Sequence, residues 1–399
     1  MSLSAQQAEA MDAVKLWLDD PDKQVFRLFG YAGTGKTTIA KEVDAFVGGE
    51  VLFAAFTGKA ALVLQEKGCP AGTIHRLIYL PSSKCTQRLE DLEMELAEAV
   101  SDDPSNLDLI NNIKEEIDQE NERAKKPSFT KNPDSNLKDA ALLVVDEVSM
   151  VGKTMAMDLL SYGRKILVLG DPAQLPPVGE AGFFTNREPD FMLTEIHRQA
   201  AGSPVLQLAT KVRQGEGLEQ GDYGDSRVIG RGVLDIAAVS RNFDQILVGT
   251  NRCRHDLNRQ VRAELGFTSH LPEEGDKLVC LRNDYDRGLL NGSQWNVLSS
   301  QLMTPDVISM DIVDDNGFVL CVQAWTHFFE SREKDLRPWD VKTFLSFDFA
   351  YAMTVHKSQG SSWPRVLVID ESAVFRADAS KHLYTAVTRA KESVTVVQK

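Results

Sequence analysis

Gly30-Tyr-Ala-Gly-Thr-Gly-Lys-Thr-Thr38 limits what this chain can fold into more than any other stretch. It follows the pattern of a Gly, four residues and Gly-Lys-Thr, met by Gly30, Gly35, Lys36 and Thr37. Glycines let backbone N–H groups turn inward around an anion with no Cβ in the way. A helix beginning near Lys36 adds its positive N-terminal end. In that setting Lys36 reaches the β- and γ-phosphates of a nucleotide, and the Thr37 hydroxyl holds Mg²⁺. The flanks agree: Val25-Phe-Arg-Leu-Phe29 reads as a buried strand entering the loop, and Thr38 to Phe46 as an amphipathic helix leaving it. A strand, this loop and a helix in succession require an α/β fold.

The chemistry that such a loop needs is found downstream. Ala141-Leu-Leu-Val-Val145 is a continuous apolar strand that delivers Asp146-Glu147 at its carboxyl end. Asp146 is placed for the Mg²⁺ shell, and Glu147 to orient or deprotonate an attacking water. Lys165 to Leu169 is the next buried strand, and Gln174 in the Pro-rich loop after it can touch the γ-phosphate or its water. Leu193-Thr-Glu-Ile-His-Arg-Gln199 supplies Arg198 as a candidate finger, although by residue chemistry alone a surface arginine is the commoner reading.

Around these lie weaker signals. Leu3 to Val14 reads as a helix with Ser4 as N-cap, and on it the Gln7 amide offers a donor and an acceptor that suit the edge of adenine; an ordinary exposed Gln has even odds. Val51 to Phe56 is a strand followed by Thr57-Gly-Lys-Ala-Ala61, small and hydroxyl residues suited to close contact with a ligand. In Ala71-Gly-Thr-Ile-His-Arg-Leu77, Thr73, His75 and Arg76 are placed for phosphate or base contact, though a lone His is more often structural.

A net charge of −14 argues against a nucleic-acid partner only if it is spread evenly. It is not, because residues 82–139 hold 15 acidic and 8 basic residues, a net of −7. There Leu89, Leu92, Met94, Leu96, Val100, Leu109, Ile110, Ile113 and Ile117 recur at helical spacing, and Asp102-Asp-Pro-Ser-Asn106 stops and restarts the pattern. We read a charged helical hairpin, closed by Lys125-Lys126-Pro127 and Pro133, that serves either as a partner-binding arm or as a solvated appendage. No run of about 18 apolar residues is present, the N-terminus does not read as a signal peptide, and five scattered cysteines with no Cys-x-x-Cys pair suit reduced thiols, no zinc site and the cytoplasm.

A second α/β unit follows, with strands at Gln245–Gly249, Arg365–Ile369 and Ser393–Val397 and helices at Asn251–Leu265 and Lys381–Lys391. It lacks a phosphate loop but carries Met353-Thr-Val-His-Lys-Ser-Gln-Gly360 and Tyr384-Thr-Ala-Val-Thr-Arg389, which makes Arg389 a second candidate finger. Residues 274–343, rich in short strands and turns such as Asn291-Gly292 and Asp315-Asn-Gly317, read as a small β-barrel insert. Tyr285, Trp295, Trp363 and Phe375 are candidate base-stacking residues, although packing is the commoner role for each.

The ordered set Gln7, GYAGTGKTT (30–38), AAFTGKAA (54–61), TIHRL (73–77), DEVSM (146–150), GDPAQLPPV (170–178), EIHRQ (195–199), TVHKSQG (354–360) and YTAVTRAK (384–391) resembles superfamily 1 DNA helicases, nearest to the RecD/Dda branch, over nearly the whole chain. The resemblance implies two RecA-like P-loop domains, 1–198 and 199–399, with a helical insert in the first and an SH3-like β-barrel in the second. It implies an ATP- and Mg²⁺-dependent motor moving 5′ to 3′ on single-stranded DNA and unwinding duplexes in replication, recombination or repair. The alternative is a nucleic-acid-stimulated ATPase that remodels complexes without efficient unwinding. By the same resemblance Gln7, Gly33, Thr34, Gly35, Lys36, Thr37, Thr38 and Gly360 bind the nucleotide, and Thr37 and Asp146 the metal. Lys36, Glu147, Gln174, Arg198 and Arg389 act in catalysis, and Thr57, Lys59, Thr73, His75, Thr354 and His356 touch DNA. Relatives carry a short β-hairpin pin where this chain has 82–139. That segment is the expected docking point for a replisome or single-strand-binding protein. A monomer in the cytoplasm, that of a host if the protein is from a phage or mobile element, completes the expectation.

Overall fold

The computed structural model describes residues 3–81, 84–102, 106–124, 129–177, 179–195, 202–233, 236–336 and 343–398. Its first half is built on strands β1 (Val25–Gly30), β2 (Val51–Ala55), β3 (Ala71–Thr73), β6 (Leu142–Asp146), β7 (Lys165–Gly170) and β8 (Phe191–Leu193). They form one sheet in the order β3-β2-β6-β7-β1-β8, parallel throughout. Parallel strands need crossover helices on the faces, so the central strands are apolar on both sides. Alternate residues sort accordingly. Phe26, Leu28, Val144 and Leu167 pack under α1 (Ala5–Leu18), α2 (Lys36–Val43) and α3 (Gly58–Glu66). Phe29, Leu143, Val145 and Ile166 pack on the opposite face with α4 (Ile74–Ile78) and α7 (Lys153–Leu160).

The two helices expected between residues 82 and 139 are present as α5 (Lys84–Asp102) and α6 (Leu107–Ala124). Leu92, Ile110 and Ile113 are buried, while Met94, Leu107 and Leu109 face solvent. At 19 residues, α5 reaches about 28 Å. The sequence reading missed the base of this arm, an antiparallel ribbon of β4 (Tyr79–Pro81) and β5 (Phe129–Lys131). Three-residue strands carry no period to read. The Lys125-Lys126-Pro127 stop lies outside the described residues.

The second half repeats the plan. After α8 (Pro204–Arg213), the sheet order is β17-β11-β18-β19-β10-β9, formed by β9 (Gly221–Tyr223), β10 (Ser226–Gly230), β11 (Gln245–Val248), β17 (Ala352–Thr354), β18 (Trp363–Ile369) and β19 (Ala390–Gln398). All neighbours are parallel except β9 against β10. Helices α9 (Ile236–Asn242), α10 (Asn251–Glu264) and α11 (Ala379–Val387) complete it. The helix expected at Lys381–Lys391 stops at Val387, and Lys391 belongs to β19. The β-branched run Val394-Thr-Val-Val is drawn between β18 and β10, and the strand zips back as far as Ala390.

Between α10 and β17 stands a five-stranded antiparallel sheet, ordered β15-β14-β13-β12-β16 from β12 (Lys277–Cys280), β13 (Gln294–Thr304), β14 (Val307–Val313), β15 (Val319–Trp325) and β16 (Phe347–Phe349). It extends past residue 343, and β13 is long and bulged rather than short. A bridge from Ala324 to Leu345 brings its two edges together. The sheet is anchored by α10. Arg262 forms a fork with Asp276, Nε to Oδ1 and Nη2 to Oδ2 both at 2.8 Å, and donates to the carbonyls of Ser269 and Leu271. Arg254 pairs with Asp348, again in the interior.

Candidate functional site

The phosphate-loop pattern has the matching shape. Gly33 and Gly35 hold φ of 81° and 80°, the left-handed region where other residues are strained. A Cβ on Gly30 would stand 2.5 Å from Thr34 Oγ1 and 2.8 Å from Leu193 Cβ, so the loop closes on itself only through glycine. Lys36 Nζ lies inside the curve and donates to the carbonyls of Gly30 (2.6 Å) and Tyr31 (3.1 Å). Thr38 follows in the first turn of α2. Gln7 borders the loop. Its Oε1 accepts from Ser4 N (3.0 Å) in the capping box of α1, and its Nε2 donates to Thr34 O (3.2 Å). The amide is thus next to the loop, with both ends engaged by protein.

Asp146 ends β6 so that Thr37 Oγ1 stands 3.4 Å from its Oδ2. Two hard oxygen donors converge there, the chemistry a magnesium ion takes. Burial, with Glu147 alongside, pushes the Asp146 carboxyl up to about 6 in spite of Lys36. Glu147 adopts φ 53°, ψ 46° and gives its N–H to Asp146 Oδ1 at 2.8 Å. A left-handed, non-Gly backbone of this kind is a mark of functional sites. Gln174 is buried, and its Oε1 has no hydrogen-bond partner among the described residues. Arg198 lies outside the described residues.

The second half contributes residues that the sequence did not single out. Tyr384 and Thr385 on α11, with Gln359, reach across to the phosphate loop and to the Asp171–Leu175 loop after β7. The only signal was their place within two motifs, where a Tyr or Thr reads as packing. Arg389 is buried and held by its own half, with Nε to Thr385 O at 3.1 Å and Nη1 to Ser361 O at 3.3 Å. The structure does not bring it to the phosphate loop. Gly360 does not line the loop either. It has φ 79°, and a Cβ there would meet Thr57 Oγ1 at 2.7 Å and Ala60 Cβ at 3.0 Å. Gly360→Ala therefore loses about 1–2 kcal/mol from the left-handed backbone alone, before the clash, in urea unfolding. An unchanged midpoint would show that Gly360 does not hold this left-handed backbone in solution.

Thr57 caps α3 through Ala60 N, and Lys59 sits half-buried in its first turn. Thr73 is buried, and its hydroxyl lies 3.0 Å from Tyr285 OH. The Arg76 guanidinium covers the same tyrosine ring at 5.2 Å, and Leu290 packs on Gly58. Thus the 283–291 loop of the β-insert covers residues expected to touch DNA. Thr354 is buried at the end of β17. His75 stands among Phe56, Tyr79 and Phe129, and burial lowers its basicity. His356 stands beside Phe375, and burial lowers it also. Both stand in aromatic surroundings. Trp295 is buried, Trp363 donates to Gln294, and Phe375 stacks on His382 at 4.0 Å, so of the aromatic candidates Tyr285 is the most exposed.

In the second half, Glu371 sits at the end of β11. Its carboxylate accepts from Gly249 N (3.1 Å), Thr250 N (3.0 Å) and Thr250 Oγ1 (3.1 Å), and so occupies the start of α10 where an anion would sit.

Comparison with known proteins agrees with this geometry. The AAA domain family matches residues 2–230, and the UvrD-like helicase C-terminal domain matches residues 349–397. The ATP-dependent RecD2 DNA helicase of Deinococcus radiodurans is 27% identical across 98% of this chain, which spans 48% of that protein. The ATP-dependent DNA helicase Pif1 of Campylobacter jejuni is 24% identical over 65% of this chain and 69% of its own length. Among solved structures, two coordinating Pif1 helicases at forked DNA and Bacteroides Pif1 bound to single-stranded DNA both give a TM-score of 0.55, at 18% and 17% identity, over 99% of this chain and 92% of theirs. At that identity they show a shared two-domain α/β fold.

Proposed function

The chain belongs to the AAA domain family, within the superfamily 1 helicases of RecD/Pif1 type, and on that premise we propose that it is an ATP-dependent DNA helicase that moves 5′ to 3′ along single-stranded DNA and separates duplexes. One observation carries the reading. Thr37 and Asp146 meet beside the phosphate loop, and Tyr384, Thr385 and Gln359 of the second half hydrogen-bond to that loop and to the Asp171–Leu175 loop. A nucleotide bound between two α/β units changes the gap between them when it is hydrolysed, and this turns chemistry into stepping.

In this reading Lys36 and the loop amides hold the phosphates, and Gln7 exchanges a protein bond for adenine. Thr37 and Asp146 hold Mg²⁺, which when bound screens the phosphate charge. Glu147 takes the water's proton. Gln174 offers its unpartnered amide oxygen to that water. Arg389, and Arg198 with it, reach the γ-phosphate only when the halves close. The domains divide at about residue 198, each RecA-like, and the five-stranded insert acts as an SH3-like wall over a strand that runs past Thr57, Lys59, Thr73 and Thr354. His75 and His356 line it through aromatic contacts.

The acidic arm favours a second reading, an ATPase that remodels protein–DNA complexes, because α5 and α6 replace a compact strand-splitting pin. Tailed duplexes separate the two. With ATP, duplexes with 5′ tails open and those with 3′ tails stay intact. Opening of 3′-tailed duplexes alone would reverse the polarity, and opening of neither, with ATP turnover still raised by single strands, would favour the remodeller.

A further inference from the structure

We propose that Tyr384 is a positioning residue that couples the phosphate loop to the second α/β unit. The proposal rests on the ATP-driven reading above and names the contact through which the two halves communicate.

The Tyr384 side chain is 2% exposed, and its hydroxyl has one proton to give. That proton goes to Asp171 Oδ2 at 2.7 Å, and the oxygen accepts from Ala32 N at 3.1 Å. Ala32 is the third residue of the phosphate loop, and Asp171 begins the loop that carries Gln174. Both partners lie in the first half, on different loops that flank Lys36. The next residue extends the contact. Thr385 Oγ1 accepts from Leu175 N at 2.9 Å, and Gln359 Nε2 donates to Leu175 O at 3.1 Å. Behind them, Arg389 Nε donates to Thr385 O at 3.1 Å. A continuous path runs from a phosphate-loop amide through Tyr384 and Thr385 to the candidate finger. Burial beside Asp171 holds the phenol protonated far above neutral pH, so the donor is constant.

The path gives each event a consequence. Phosphates draw loop amides inward. If the Ala32 amide turns to phosphate, Tyr384 loses its donor and α11 is released from that loop. If it does not, Tyr384 keeps α11 registered on the loop while the nucleotide binds. In both cases the position of Arg389 depends on a hydroxyl that touches no substrate.

Tyr384→Phe keeps the buried ring and removes the oxygen. Hydrogen exchange of the protein without nucleic acid should show the Ala32 amide exchanging at least about tenfold faster, with β1 unchanged. The ratio of single-strand-stimulated to basal ATP turnover should fall at least about fivefold, with KM for ATP held within about twofold. Thr385→Val repeats the test on the other loop, with the Leu175 amide as reporter, should Tyr384→Phe fold poorly. Unchanged exchange in the variants overturns the contact, and faster exchange with an unchanged ratio overturns the coupling. Wild-type turnover indifferent to single strands defeats the motor reading instead. The coupling is then decided by a non-hydrolysable ATP analogue, which should alter exchange across residues 379–388 in the wild type but not in Tyr384→Phe. No change in the wild type would overturn it.

Discussion

Lys36→Ala lowers ATP turnover by at least about 10²–10³, the amount that one preorganised charge is worth where charge develops in a transition state. The Lys36 ammonium stands within the loop, tied to the carbonyls of Gly30 and Tyr31. Those two carbonyls set its direction before any phosphate arrives, so little reorganisation is left at the moment of reaction. The loop's own shape does not depend on this side chain. Gly33 and Gly35 hold their backbone angles, and Thr34 Oγ1 donates to Tyr31 O at 2.8 Å. The variant should therefore keep its melting temperature within a few degrees while turnover collapses, with and without single-stranded DNA. Steady-state phosphate release on both proteins, beside thermal unfolding, checks this. Residual turnover above a tenth of wild type would mean that Lys36 does not contact the reacting phosphate.

The second large effect concerns stability alone. Arg262→Ala should cost about 3–5 kcal/mol, the usual result of removing one partner of a buried ion pair. Asp276 is 0% exposed, and besides Arg262 it receives Tyr351 OH at 3.0 Å and Glu273 N at 2.8 Å. The guanidinium also lies 4.0 Å over the Phe349 ring and satisfies two carbonyls. Truncation leaves the carboxylate buried without its counter-charge and leaves a void on Phe349. Urea unfolding of the whole chain should show the second half melting first. Arg262→Lys keeps a charge but loses the fork, and should recover only part of the loss. If the urea midpoint of Arg262→Ala matched the wild type, the insert would not be anchored to α10 in this way.

Where the sequence was legible, the reason was local. The phosphate loop, the apolar strand before Asp146 and the 3.6-residue period of α5 and α6 depend on neighbours within a few residues, and each stands where its pattern put it. What escaped is set by distant partners. Of the three-residue strands, β3 and β8 exist because the longer β2 and β1 offer them an edge, and β4 and β5 because each is the other's mate. Ala390 and Lys391 left the expected helix for a strand because β18 offers pairing there. His75 could be read for phosphate or base contact or as a structural histidine, and its neighbours Phe56 and Phe129 come from 19 residues upstream and 54 downstream. Arg389 has the right position in its motif, yet which carbonyls its guanidinium finds is decided by side-chain direction, which one sequence does not record.

The position of β19 matters for how this protein comes off the ribosome. It is an interior strand, lying between β18 and β10, and Val394 N donates to Ser226 Oγ at 3.0 Å across 168 residues. The first sheet is complete once Leu193 has emerged. The second must wait for Gln398, which at 5–20 residues per second is roughly 10–40 s later. During that interval Val228, Ile229 and the apolar run of β11 are made but have no complete sheet to enter. A cell producing this chain therefore handles a folded half that trails an adhesive one. Chaperone supply and translation rate through the roughly two hundred codons between Leu193 and Gln398, more than the stability of the finished molecule, should set how much protein is recovered.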